Sequence, residues 1–323
     1  MSYRGRSVES IRRARLRRHG GAANGRLAGF GSVDSVARRG ILTLLTVMVG
    51  CALAGCSAGA TGSSIGSSAP VTRTATPSSA APIPSIDLPP TGATPDYQLG
   101  GAYPPPSGVG IVVRDRTAAP ADDVYSVCYV NGFQTQPGEL PLWPDDLLLK
   151  SADGELVHDP DWPDEVIVDT RDAEAVAAIV SPWIDGCATD GYDAVEFDNL
   201  DTYTRTDGAL TFNDNLAVAK ILVGIAHEHG LAAGQKNAAE HTARLHAEAG
   251  FDFAIAEECA AWDECPSYTD VYGDAVIAIE YSDTLPRPFS AVCADAATPA
   301  SVVLRDRDLV TPDDPAYVFE TCD

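Results

Sequence analysis

Eight short runs of β-branched and apolar residues punctuate this chain: VGIVVRD (109–115), YSVCYVN (125–131), EVIVDTR (165–171), DAVEFDN (193–199), LAAGQKN (231–237), DFAIAEE (252–258), AVIAIEY (275–281) and SVVLRDR (301–307). Most are apolar almost throughout rather than alternating, as strands covered on both faces are. Helical stretches separate several of them, clearest over 212–230, where Leu216, Ala219, Ile221, Leu222, Ile225 and Ala226 form one stripe. Asn213 or Asp214 would cap its start and Gly230 its end; Pro182 should break or kink a second helix over 171–191. Strands alternating with helices predict a parallel sheet, and eight of them predict closure into a single (β/α)8 TIM barrel of the α/β class.

The ends of these runs carry the functional signal. Arg114 and Asp115, Asn131, Asp169 and Arg171, Glu196 with Asp198 and Asn199, Lys236 and Asn237, Glu257 and Glu258, Glu280 and Tyr281, and Asp306 all stand at strand tips. In a barrel those tips converge on one face, where the active site lies. In VEFD, a period of two puts Val195 and Phe197 outward against helices and Glu196 and Asp198 inward. Asp198, nearer the mouth, is the candidate catalyst; Glu196, one layer deeper, is expected to orient Asp198 or Lys236. A second acid should come from AIAEEC, but periodicity leaves Glu257 and Glu258 both open. Trp162 and Trp262 are candidates for stacking on sugar rings. His227 and His229 lack the spacing of a metalloprotease helix, the acids of 201–208 lack the calcium-loop pattern, and no Cys-x-x-Cys pair occurs, so neither a metal nor another cofactor is expected.

The first 55 residues are a different kind of segment. Ten of the 22 basic residues but only two of the 46 acidic ones lie there, followed by an apolar run and LAGC (Leu53–Cys56). Charged region, short apolar region and small residues describe an export signal. LAGC resembles the lipobox of bacterial lipoproteins, with Cys56 as the lipidated residue. Residues 56–95 are rich in Ser, Thr, Ala and Pro and read as a disordered tether, leaving 96–323 as the one folded domain. The expected location is the outer face of the cell membrane, contacted through the lipid alone. The tether's Gly62–Gly66 matches a serine-hydrolase elbow formally but lacks the strand and helix that motif needs.

Export makes disulfides the natural state of the six domain cysteines. The pairing expected is Cys259 with Cys265 as a local loop, Cys293 with Cys322 as a C-terminal staple, and Cys128 with Cys187. Beyond residue 55 the charge is about −32, which disfavours nucleic acid and favours a cationic substrate. A monomer is expected.

VCYVNGFQTQPGE, EVIVDTRD, GYDAVEFDNLDTYTR, LTFNDNLAVAKILVGIAHEHGLAAGQKN, GFDFAIAEECAAWDEC and AVIAIEY together resemble glycoside hydrolase family 114, the endo-α-1,4-polygalactosaminidase family of (β/α)8 barrels. The resemblance spans roughly residues 109–281. It implies Asp198 and Glu257 as the catalytic pair, with Tyr129, Glu196, Asn199, Lys236 and Asn237 lining the site, and α-linked galactosamine as substrate, cationic where deacetylated. Glu280, Tyr281 and Trp262 are added to the expected substrate wall. Ala238, Ala256 and Glu258 depart from the family's usual residues, and the alternative they raise is a non-catalytic surface lipoprotein that binds amino-sugar polymers.

Overall fold

The computed structural model describes residues 85–322. The expected export signal, the lipidation site Cys56 and nearly all of the expected tether lie outside the described residues.

Eight parallel strands run in sequence order: β1 (Thr94–Gln98), β2 (Val109–Asp115), β3 (Tyr125–Asn131), β4 (Ala194–Asp198), β5 (Ala232–Lys236), β6 (Phe253–Glu257), β7 (Val276–Tyr281) and β8 (Ser301–Arg305). A short β9 (Phe319–Thr321) adds antiparallel to β8. The sheet curls into a near-closed barrel. Arg305 of β8 spans the seam to β1, pairing with Asp96 at 3.0 Å and donating to the Tyr97 carbonyl. Its other donors reach the carbonyls of Val318 at 2.9 Å and Val310 at 3.0 Å. A guanidinium buried this fully is tolerable because its charge is paired and its N–H groups are engaged.

Seven of the eight expected strands are present, and one is replaced. EVIVDTR does not enter the barrel. Residues 166–168 make single antiparallel bridges to Gln134, Leu148 and His158, and Ile167 packs with Leu149 and Leu210 in a small core of its own. The run is apolar because it forms the core of the long connection between β3 and the helix that starts at Ala173. The missing barrel strand is TPDYQ, which hides its nature: Pro95 sits beside a register shift, and Asp96 and Gln98 are buried polar residues. Gln98 donates to Asp96 at 2.7 Å and accepts from Arg114 Nε at 2.9 Å. Polar residues satisfied by one another carry no apolar signature.

The helices are α1 (Ala173–Asp190), α2 (Phe212–Glu228), α3 (Thr242–Arg244), α4 (Cys265–Tyr272) and α5 (Phe289–Cys293). α1 runs through Pro182 without ending. Val180, Ile184 and Cys187 of its second half are buried, and a disulfide joins Cys187 to Cys128 of β3, so packing outweighs the lost backbone bond. α2 starts two residues earlier than a cap at Asn213, and three earlier than one at Asp214, because Thr211 is the cap and forms a reciprocal capping box with Asp214. α3 is a single turn between a 3-10 turn (Ala239–His241) and a π turn (Leu245–Ala249). The other disulfides are Cys259–Cys265 and Cys293–Cys322.

Strand alternation divides the core in two. Val195, Phe197, Ala254 and Ala256 face outward with Val180, Leu222 and Ala226 of the helices. Ile111, Val113, Val127, Phe253, Ile255, Ile277 and Ile279 fill the interior. Inward parity on β6 therefore continues from Phe253 and Ile255 to Glu257.

Candidate active site

The interior becomes polar toward the C-terminal ends of the strands, and one ammonium organises it. Lys236 ends β5, is 1% exposed, and lies 3.3 Å from Glu196 Oε1, 3.8 Å from Asp198 Oδ2 and 3.6 Å from Glu257 Oε2. It also donates to Tyr97 Oη at 2.6 Å, and the Tyr97 hydroxyl in turn donates to Glu196. Burial alone would favour a neutral amine, but the three carboxylates outweigh it and hold Lys236 above the usual lysine range.

Above this layer stand the two candidate acids. Asp198 accepts from the Tyr129 hydroxyl at 2.8 Å and from the Asn199 backbone N–H at 2.7 Å. Glu257 accepts from Asn237 Nδ2 at 2.8 Å and from the Tyr281 hydroxyl. Because each acid has an oxygen within 4 Å of the Lys236 ammonium, those oxygens are at most about 7.4 Å apart, inside the range of carboxyl separations used for glycoside cleavage. Their side chains remain 17% and 22% exposed, so both reach the cleft.

Local backbone geometry presents these groups. Asn199, Asn237 and Glu258, each directly after a strand-tip Asp, Lys or Glu, adopt positive φ of 67°, 53° and 59°. Left-handed residues turn the chain sharply off the strand, a strained conformation tolerated where neighbours fix it. Asn237 is fixed by two bonds to β6, donating to Glu257 and accepting from its N–H at 3.0 Å.

Burial pushes the Asp198 carboxyl up; Lys236 opposes that, Glu257 adds to it, and the Tyr129 and Asn199 bonds oppose it. Glu196 is pushed up to about 7, again by burial, with Lys236 and Tyr97 opposing. The Tyr129 and Tyr281 phenols are raised by burial and by the acids beside them, so they stay protonated and donate.

The cleft above encloses about 200 Å³. Of the expected wall residues, Tyr129, Asp198, Asn199, Lys236, Asn237, Glu257 and Tyr281 line it. Glu196 lies beneath, fully buried. Two do not belong to the wall. Glu280 is buried below, where its oxygens accept from the N–H groups of Ala260 and Ala261 at 2.8 and 3.2 Å. Trp262 is not among the lining residues; it lies in the loop that Cys259–Cys265 closes, with its backbone N–H donating to the Glu258 carbonyl at 3.1 Å. Trp162, 39% exposed, does line the cleft. Arg114, Asp306, Asp169 and Arg171 serve structure: Arg114 holds loop carbonyls, Asp306 accepts from Val310 and Val318, and Asp169 pairs with Arg171.

Sequence reasoning missed Asp159, Asp161, Glu165, Asp201, Arg205, Arg307 and Asp308 of the lining. Arg205 ends a 3-10 turn (Thr202–Arg205) and the others lie outside the barrel strands; of them only Arg307 stands at the tip of an expected strand run. Arg307 is tied to Glu258 at 2.9 Å and Asp283 at 2.8 Å, and its guanidinium lies 4.3 Å over the Tyr281 ring. Thus Glu258, one of the departures, has a cation matched to it. The only His/Cys/Asp/Glu cluster among the described residues with metal-like spacing is Cys259, Cys265 and Glu280, and its two sulfurs are joined in a disulfide.

Among solved structures, the chain is similar to Ega3 of Aspergillus fumigatus in complex with galactosamine, at 22% identity and a TM-score of 0.59, covering 70% of this chain and 96% of that one. It is also similar to the glycoside hydrolase domain of PelA from Pseudomonas aeruginosa, at 16% identity and a TM-score of 0.45, over 70% of this chain and 98% of that one. No match was found among curated proteins. The first likeness supports the barrel. The model of glycoside-hydrolase family GH114 matches residues 74–323, which is most of the chain and all of the described barrel, and the protein therefore belongs to glycoside-hydrolase family GH114.

Proposed function

We propose that this protein is an endo-acting glycosidase that cleaves α-1,4-linked galactosamine-type polysaccharide with Asp198 and Glu257 as its two carboxyls. The observation that carries the reading is the pair itself: two cleft-facing acids on either side of one buried ammonium. Lys236, the Tyr129 hydroxyl and the Asn199 N–H favour the ionised form of Asp198, which suits a nucleophile or a base for water. Glu257 then protonates the departing glycosidic oxygen. Positive charge developing at the anomeric carbon meets the Asp198 carboxylate, so the acid that reacts also stabilises the transition state.

The substrate class follows from charge. Eight acids line the cleft (Asp159, Asp161, Glu165, Asp198, Asp201, Glu257, Glu258 and Asp308) against Arg205, Lys236 and Arg307, an excess that attracts amino sugars bearing free amines. The galactosamine in the Ega3 complex agrees with that chemistry. Trp162 offers the apolar face of a sugar ring a platform.

The test is release of reducing ends from partially deacetylated α-1,4-galactosamine polymer. The purified protein should generate them, and Asp198→Asn and Glu257→Gln should each lower kcat by about a thousandfold or more while leaving polymer binding largely intact. Turnover surviving in both variants would displace the pair. Tight polymer binding by the unaltered protein with no new ends would make it a binding protein.

A further inference from the structure

Six of the eight carboxyls lining the cleft have no part in that mechanism, and Glu165 is one of them. Glu165 is 7% exposed and lines the cleft. It closes a turn whose geometry is fixed by Asp159, which accepts from the N–H groups of Asp161 and Trp162 at 2.7 and 3.0 Å. The Glu165 N–H bonds back to the Trp162 carbonyl at 2.8 Å. The turn therefore places the Trp162 indole and the Glu165 carboxyl on one wall.

Two neighbouring acids of that wall, Asp159 and Asp201, are neutralised. Arg205 lies 2.8 Å from Asp159 and 2.9 Å from Asp201, and its remaining fork donates to Asn199 Oδ1 at 2.9 Å. Glu165 has no such partner. Its Oε2 accepts from Gln134 Nε2 at 2.5 Å and, more weakly, from Asn131 Nδ2 at 3.4 Å. Among the described residues no donor reaches Oε1. Asn131 Oδ1 in turn accepts from Asn199 Nδ2 at 3.1 Å, so the same amide touches Glu165 and the residue that follows Asp198. An acid this buried, lining the cleft with one oxygen held by amides and with no cation at ion-pair distance among the described residues, is left without a counter-charge in contact.

We propose that Glu165 is a specificity-determining residue, whose Oε1 receives the ammonium of a sugar bound beside Asp198, so that this position of the cleft accepts a free amine and disfavours an N-acetyl group. The proposal rests on the amino-sugar reading above and names the position at which deacetylation is read. An ammonium brings a full positive charge and three donors that stabilise the ionised carboxylate; an acetamide brings one donor, a bulky methyl group and no charge to offset the cost of ionising a buried carboxyl. Where a buried polar group is left unmatched, rejection is strong.

The proton balance is specific. Burial pushes Glu165 up to about 8; Gln134 and Arg205 lower it, Asp198 and Asp159 raise it, and the raised Tyr129 phenol faces it protonated. Near neutral pH the carboxyl of the empty cleft therefore holds its proton. Meeting an ammonium ionises it, and that proton leaves to solvent.

Calorimetric titration of the protein with galactosamine and with N-acetylgalactosamine, at pH 6.5 in two buffers of different ionisation enthalpy, tests this. Galactosamine should bind at least about tenfold more tightly and release close to one proton, and the acetylated sugar should release none. Glu165→Gln should abolish both the preference and the release, and Glu165→Asp, which keeps the charge but withdraws it, should restore part of each. The proposal is overturned if galactosamine does not bind, if Glu165→Gln keeps preference and release, or if it weakens both sugars equally. Reducing-end assays on the deacetylated and acetylated polymers separate this from the parent reading. A protein that cuts neither but shows the calorimetric pattern loses the hydrolase assignment and keeps the ammonium site. A Glu165→Gln variant that cuts both polymers in the unaltered ratio loses the ammonium site alone.

Discussion

Lys236 shows how much one residue can set. It is the shared counter-charge of Glu196, Asp198 and Glu257, so Lys236→Met should raise the carboxyl pKa values of all three, by about 1–3 units for the acids nearest it. The acidic limb of the kcat/KM–pH profile should move up by a similar amount, and an unmoved limb would remove Lys236 from control of the ionised acid. Stability should respond with a defined sign. Carboxyls whose folded pKa lies above the unfolded value bind more protons in the folded state, so stability falls as pH rises between the two values. The variant should therefore be closest to the unaltered protein near pH 5 and weakest near pH 8, read as urea midpoints. The alternation of VEFD made Glu196 and Asp198 legible as inward acids, but Tyr97, which completes the Lys236 shell, was hidden in a strand the sequence pattern does not reveal. Glu165 was hidden for the opposite reason: it begins a run that looks like a barrel strand and is a wall of the cleft.

Among the elements, β5 carries the tightest constraint. A Cβ on Gly234 would lie 2.6 Å from the Phe253 ring, a side chain with 0% exposure inside the barrel. Gly234→Ala should destabilise by about 1–3 kcal/mol through overpacking, seen as a lower denaturant midpoint. Lys236 is two residues on, so the same change should also lower kcat. A midpoint equal to or above that of the unaltered protein would mean that Phe253 can retreat and the interior is looser than its packing shows. Apolar strands of this barrel were legible because both faces are covered. Parity on β6 was not, since its outward positions Ala254 and Ala256 are small residues that mark neither face; only packing shows that Phe253, Ile255 and Glu257 share the interior. The exchange of EVIVDTR for TPDYQ has the same root. Hydrophobic content reports burial, and a loop core buries valine and isoleucine as well as a barrel does.

At the scale of the whole molecule, the proposed function divides capture from chemistry. Residues beyond 55 carry about −32, a charge that should draw in a polyamine-like chain from a distance. Raising salt from about 0.01 M to 1 M shortens the screening length from about 30 Å to 3 Å. The expected result is a fall in kcat/KM on deacetylated polymer with kcat at saturation nearly unchanged, and little effect on acetylated polymer. Equal salt responses of the two polymers would reduce the acidity to a matter of solubility. The opposite end of the barrel holds the start of the described chain. Tyr125, the first residue of β3, donates to the Asp87 carbonyl at 2.7 Å, so the chain enters the barrel at the floor, while the cleft opens where the strands finish.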